Sequence, residues 1–345
     1  MSLNSPSNFS KSPRDSGPLT KTMALLTEDE TSLYSKLLYA LIWLLSFILA
    51  YLPLRLSLRI GALGGGLFFW LAKRRRSIAI DNLTQAVKNK ALPPDLNIRK
   101  TARGSFENLG RTAAESFRLA HRGLKSFKGL YRIIGEENIP KANPPSEESR
   151  APGLIFLTGH VGNWELSSKV IAESLSRKLT AIGRHQSSLA VNRFLIKLRT
   201  KDGGGFIFKR DGARAMLKLL RQGGVLGTLF DQADLLGQSA VRLNLMGKPA
   251  LTTLGPLKLA AKTGAAVTTL FGRREGLAHV FEIVRSVIPP PQADRSWLIS
   301  EATLLNDLLS QFISCYPDQW MWCHRRWKTP ESLVAQARED WPNSN

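Results

Sequence analysis

Six short apolar runs constrain the fold of this chain more than any other feature: "GLIFLT" (153–158), "LTAIG" (179–183), "GFIFK" (205–209), "GVLGTLF" (224–230), "AAVTTLF" (265–271) and "VFEIVRSVI" (280–288). Bounded by glycine or charge, runs of this length read as strands. Stretches with helical apolar spacing at 166–177, 188–199, 211–221 and 252–263 separate most of them. Parallel strands need a helix to carry the chain back between them, so this alternation predicts an α/β fold, a mostly parallel central sheet flanked by helices. Two more helical segments, "IAIDNLTQAVKNKAL" and "RKTARGSFENLGRTAAESFRLAHRGL", precede the first run. The Pro-rich stretches 139–153 and 288–294 read as loops within one domain.

Ahead of that domain, Leu37–Leu54, "LLYALIWLLSFILAYLPL", carries no charged residue. At about 1.5 Å per residue, a helix of this length approaches the thickness of a hydrocarbon core. The expectation is a single N-terminal membrane-anchoring helix, with the apolar run at 60–72 beyond Pro53 too short to cross; two buried core helices are the alternative. Residues 1–35, rich in serine, proline and charge, read as a disordered polar tail, and a polar stretch of that length argues against a cleavable signal peptide. Arg55, Arg59 and the run Lys73–Arg76 follow the apolar segment, so the positive-inside bias puts the body of the protein on the cytoplasmic side. The expected division is a tail at 1–35, an anchoring segment at 36–72, a folded body at 73–332 and a C-terminal tail at 333–345.

Forty-eight lysines and arginines against 27 acidic residues leave a net charge of +21, which favours polyanionic partners, either nucleic acid or anionic lipid. No helix-turn-helix, zinc-finger or ribonucleoprotein signature is present, and the charges scatter among apolar elements, so nucleic acid is not expected. Cys315 and Cys323 belong to no metal-ligand framework, and neither a metal nor a disulfide scaffold is expected. The glycine-rich "ALGGGL" and "DGGGF" fit neither the dinucleotide nor the phosphate-loop pattern, and there is no GxSxG.

The stretch "GHVGNWE" follows the first apolar run directly and sets His160 five positions before Glu165. Five histidines and 27 acidic residues give about 0.4 such pairs by chance in 345 positions, so the spacing needs context. The context is the carboxyl end of a buried strand and the first turn of the next helix, where open α/β sheets bind ligands. An imidazole there can take a hydroxyl proton while a carboxylate on its other nitrogen fixes the tautomer, so that an incoming alcohol becomes the nucleophile. Base catalysis alone suits an activated acyl donor such as a thioester. An ordinary turn histidine at a helix start is the plain alternative.

"TGHVGNWEL" resembles the His-x4-acid motif of the glycerolipid and lysophospholipid acyltransferases, in the form shown by the lipid A late acyltransferases. The chain is similar to that family also in "IAIDNL" (78–83), "GRHQSSLAVNRFLIKLR" (183–199), "LRQGGVLGTLFDQAD" (220–234), "MGKPALTTLGPLKLAAKTGAAV" (246–267) and "YPDQWMWCHRRWKTP" (316–330). The resemblance implies an inner-membrane acyltransferase whose catalytic domain faces the cytoplasm. Without a cofactor, and with acyl carrier protein or coenzyme A bringing the acyl group, it would acylate a hydroxyl of a phosphorylated glucosamine disaccharide lipid. His160 would be the general base and Glu165 its orienting partner. Arg199, with Arg193 as the alternative register, would bind phosphate or a developing oxyanion. Asp231 and Gln232, at the end of another apolar run, would hydrogen-bond the acceptor sugar. Arg325 and Arg326, between Trp322 and Trp327, would meet a phosphosugar headgroup or hold the last strand to the core. The implied partners are acyl carrier protein, an anionic lipid acceptor and the membrane. Another anionic glycolipid or a lysophospholipid as acceptor is the nearest alternative, and a non-catalytic basic membrane-surface protein the next. Acyl length, the acylated hydroxyl and the oligomeric state are not encoded legibly.

Overall fold

In the computed structural model, which describes residues 33–140, 153–186, 188–209, 212–232 and 240–327, all six apolar runs are strands of one sheet. They are β2 (Leu154–Thr158), β3 (Leu179–Gly183), β4 (Gly205–Phe208), β5 (Val225–Leu229), β8 (Ala266–Glu275) and β9 (Ala278–Val287). A seventh strand, β1 (Tyr131–Ile134), lies on the edge beside β9, and the order is β1-β9-β8-β2-β5-β3-β4. Every neighbouring pair is parallel except β8 and β9, which form a hairpin turned at Gly276. Leu154, Ile155, Phe156 and Leu157 of central β2 are each at most 3% exposed, as a strand covered on both faces requires. The sequence pattern did not announce β1 or the separate hairpin of β6 (Ala240–Leu245) and β7 (Lys248–Thr253).

Helices cover both faces. On one side α5 (Trp164–Ser174) and α6 (Leu189–Thr200) bury Leu166, Val170, Phe194 and Leu198; on the other, α7 (Ala213–Arg221), α8 (Gly255–Thr263) and α9 (Arg295–Cys315) bury Leu220, Leu257 and Leu309.

The N-terminal apolar region is two helices rather than one span, α1 (Leu33–Tyr51) and α2 (Leu54–Leu71), because Pro53 lacks the N–H needed to continue the first. By length and composition the helix able to cross a bilayer is α2, where a span over 37–54 was expected. Both helices lie against α4 (Ile98–Arg122), and α3 (Lys73–Lys88) links α2 to it. The glycine-rich run of α2 is explained by this packing: a Cβ at Gly65 would stand 2.1 Å from the Phe106 carbonyl oxygen, and one at Gly110 would stand 2.0 Å from that of Gly61. Ser46, Ala50, Leu58 and Phe69 face inward, whereas Leu37, Leu41, Leu44, Leu63, Leu67 and Leu71 are all more than half exposed. Residues 1–32 and 333–345 of the expected tails and most of the 139–153 loop lie outside the described residues, and 33–35, expected in the tail, are the first residues of α1.

Candidate active site

Strands β2 and β5 end side by side, with Thr158 opposite Leu229. Two residues beyond each end stand His160 and Asp231. The Asp231 carboxylate accepts from the His160 backbone N–H at 2.7 Å, lies 2.7 Å from Nδ1 of the ring, and accepts from the Trp320 indole at 2.9 Å. Burial works to raise this carboxyl, and the His160 charge and these hydrogen bonds outweigh it, holding it at about 2. An ionised carboxylate only accepts, so in the neutral ring Nδ1 carries the proton and Nε2 bears the lone pair. That lone pair faces the Gln232 side-chain amide at 3.0 Å. The His160 side chain is 13% exposed, with the Trp164 ring 5.0 Å away and the His324 ring 6.0 Å away. Burial and the neighbouring His160 push the His324 imidazole down to about 4, which keeps it neutral near pH 7.

The expected pairing of Glu165 with His160 is corrected by this geometry. Asn163 caps α5, its side-chain oxygen accepting from the Leu166 N–H at 3.0 Å, and Glu165 follows in the first turn with both oxygens taken by Arg199, at 2.6 and 3.1 Å. Burial opposes ionisation of Glu165, but Arg199 prevails and holds it below the usual carboxylate range. The arginine fork is therefore spent on Glu165 rather than open to a substrate phosphate, while Arg193 lies about one and two-thirds turns earlier on α6. Asp231 and Gln232 both hydrogen-bond the imidazole, one at each ring nitrogen. Arg326 is 1% exposed and donates to the Leu251 carbonyl and the Thr252 hydroxyl, so it supports the fold and cannot meet a headgroup. Arg325 is half-buried, and its guanidinium bonds none of these site residues.

The distant segments of the family resemblance meet here. Asn82 of α3 donates to the carbonyls of Trp322 and His324, each at 2.9 Å, Arg75 donates to that of Cys323 at 3.2 Å, and the Met321 N–H donates to the His160 carbonyl at 3.2 Å.

Sequence reasoning missed a buried cluster behind the motif turn. Glu115 is fully buried and accepts from Arg274, from Asn163 at 2.7 Å and from His279 Nε2 at 2.9 Å. Burial would raise its carboxyl, and the Arg274 and His279 charges pull it well below the usual range. On the same helix Thr112 and Asn108 donate to the Gly162 carbonyl, at 2.9 and 3.3 Å. Gly162 itself has φ of +54°, and a Cβ there would lie 2.2 Å from the Gly272 carbonyl oxygen. The available signal was a polar stripe at helical spacing: Thr101, Ser105, Asn108, Thr112 and Glu115 all lie on the buried face of α4. Beneath α5, a narrow apolar slot lined by Phe156, Ile171, Leu179, Leu229 and Leu270 reaches Trp164 and the Glu165–Arg199 pair.

Residues 28–329 match the sequence model of the bacterial lipid A biosynthesis acyltransferase family. The chain belongs to that family, and it is an acyltransferase. It is similar to the lipid A biosynthesis lauroyltransferase of Escherichia coli (strain K12), 25% identical over 307 residues that cover 86% of this chain and 95% of the relative. It is also similar to the phosphatidylinositol mannoside acyltransferase of Mycobacterium tuberculosis, 26% identical over 243 residues, 68% of this chain and 73% of the relative. Among solved structures, the 1-acyl-sn-glycerophosphate acyltransferase of Thermotoga maritima aligns with 74% of this acyltransferase and 97% of that chain, at 14% identity and a TM-score of 0.35.

Proposed function

We propose that this acyltransferase moves a fatty acyl chain from an acyl carrier protein thioester to a hydroxyl of a lipid A precursor, with His160 as general base. The observation that carries this reading is the imidazole tied at Nδ1 to an ionised Asp231, with Nε2 turned to a displaceable amide. The acceptor hydroxyl takes the place of Gln232 at Nε2 and gives up its proton as its oxygen attacks the thioester carbonyl. The C–S bond then breaks, and the imidazolium returns the proton to the leaving sulfur, so that an ester and a thiol are the products. Asp231 stabilises the transient imidazolium. The slot under α5 takes the acyl chain, and the Glu165–Arg199 pair positions Trp164 and the first turn of α5 beside the ring.

The exposed apolar faces of α1 and α2 form a lipid-facing edge that brings the enzyme to its acceptor, with Lys73–Arg76 on the cytoplasmic side of the inner membrane. A second reading keeps the site and changes the acceptor to another anionic glycolipid, a substitution favoured by the likeness to the phosphatidylinositol mannoside enzyme.

The test uses detergent-purified protein with acyl carrier protein thioesters and either a tetra-acyl lipid A precursor or a phosphatidylinositol mannoside, reading product mass. An acyl gain on the precursor is the expected result. Gain on the mannoside alone selects the second reading, and undiminished turnover in His160→Ala removes the mechanism.

A further inference from the structure

A basin of about 930 Å³ opens on the α5–α6 face, away from the reacting imidazole. Its walls are the C-terminal end of α4, the outer side of α5 and the segment that joins α6 to β4. Leu179, on its wall, pairs with the same residue, Val225, as Leu154 does. It therefore lies at the amino edge of the sheet, about 13 Å along the strand direction from Thr158 at the opposite edge. Neither His160, Asp231 nor Gln232 lines the basin, which adjoins the slot under α5 and shares Ser168, Leu179, Ala181 and Arg199 with it.

Seven lysines and arginines line it against two carboxylates, Glu173 and Asp202. Among the described residues only Arg199 of the seven has a carboxylate in salt-bridge range, its partner Glu165. Lys169 donates to the backbone carbonyls of Arg199 and Lys201, with the Asp202 and Glu165 charges nearby, and Arg177 donates to that of Gly223, a contact that leaves its charge uncompensated. A concave site with one sign of charge on low-dielectric walls concentrates counter-ions. The field is felt by a neighbour: burial, Lys197 and Lys201 together hold the His121 imidazole below its ordinary range.

One wall belongs to the membrane-facing edge. Tyr51, the last residue of α1, is 55% exposed and lines the basin beneath Arg122, whose guanidinium lies 5.6 Å from the ring centre. The outer apolar face of α1 thus runs directly into the cationic basin, and lysines on flexible stems beside an apolar surface suit the phosphate layer of a bilayer.

We propose that this basin binds the phosphate group of an anionic membrane lipid at a site separate from the acyl-transfer centre. The ligand chemistry is a phosphate mono- or diester, held by Arg122, Lys125, Lys178 and Lys201. The site orients the enzyme on an anionic leaflet and does not require turnover. It rests on the reading of α1 and α2 as the lipid-facing edge, which uncharged vesicles test by themselves.

Flotation of the full-length protein is measured with phosphatidylcholine vesicles and with vesicles that also carry phosphatidic acid. Wild type is expected to bind the anionic vesicles more tightly, and Lys125→Glu/Lys178→Glu to lose roughly tenfold or more of that gain. Lys218→Glu/Lys262→Glu, with the same charge change on the opposite face of the sheet, is expected to lose less than about twofold. All three proteins are expected to bind uncharged vesicles alike. Failure of every protein on uncharged vesicles overturns the lipid-facing edge, whereas equal losses in the two double variants overturn the basin alone. Two further arms decide the source of the phosphate. Inorganic phosphate that binds at millimolar concentration and cancels the gain makes the basin a small-anion site, and a loss confined to acyl carrier protein binding makes it a carrier surface. Either result overturns the lipid assignment.

Discussion

The protein contains two histidine–carboxylate pairs of nearly equal length, His160 with Asp231 at 2.7 Å and His279 with Glu115 at 2.9 Å. In the first, the ring is partly accessible and its second nitrogen meets a side-chain amide that a substrate can displace. In the second, ring and carboxylate are both fully buried, and the carboxylate also serves Arg274 and Asn163. The local chemistry is the same, and access is what supports the proposed role of His160 as base. A base must meet the proton it removes, whereas a sealed pair beneath four donors can only fix geometry.

The largest expected effect breaks the accessible pair. His160→Ala lowers turnover, measured by product mass, by about 10² to 10⁴-fold in a protein that keeps its native circular dichroism spectrum but melts lower, because buried Asp231 loses its partner. Asp231→Asn, which leaves the ring in place without an ionised partner, lowers kcat by about 10²-fold or more, while Glu165→Gln costs less because its charge faces Arg199. If Glu165→Gln proved the more damaging, the assignment of the orienting carboxylate to β5 would be wrong.

The sealed pair fails in the other currency. Glu115→Ala strands Arg274 and His279 without their carboxylate and costs about 3 to 5 kcal/mol in denaturant unfolding. Gly162→Ala, forced into a positive φ against the Gly272 carbonyl, costs about 1 to 3 kcal/mol and lowers kcat through the displaced turn.

The smallest effect is a pH slope. His324 is held at about 4 in the fold against an ordinary 6.5, so the unfolded chain binds the extra proton between those values and stability falls as pH drops from 6.5 to 4. Asp231, depressed to about 2, contributes stability that is complete above the ordinary carboxylate range and lost only as pH falls through about 2. His324→Gln is expected to flatten the upper limb and leave the lower one, read from urea midpoints across the range.

The strand runs and helical spacings were legible because burial on both faces of β2 or one face of a helix leaves a local periodic mark. So was His160, placed by the end of its run. Its partner was half legible: ending another apolar run puts Asp231 on the same rim of the sheet, but it lies 71 residues on, and only the register that sets Thr158 opposite Leu229 reveals that it meets the ring. Glu165 was nearer in sequence, and nothing local showed that Arg199 of α6 would claim it. The β6–β7 hairpin was passed over although Val241, Leu243 and Leu245 alternate with Arg242 and Asn244 ahead of the turn at Met246–Gly247. For Arg326 the sequence left a headgroup contact and a structural role both open, and its bonds to Leu251 and Thr252 of β7 decide for the second.

The contacts among Gly61, Gly65 and Gly110 have a mechanical consequence. Where backbones touch, no side chain is left to act as a cushion, so α2 cannot tilt without carrying α4 with it. Because Asn108 and Thr112 of α4 also hold the Gly162 carbonyl, in the turn that carries His160, any force that tilts α2 is passed on to that turn.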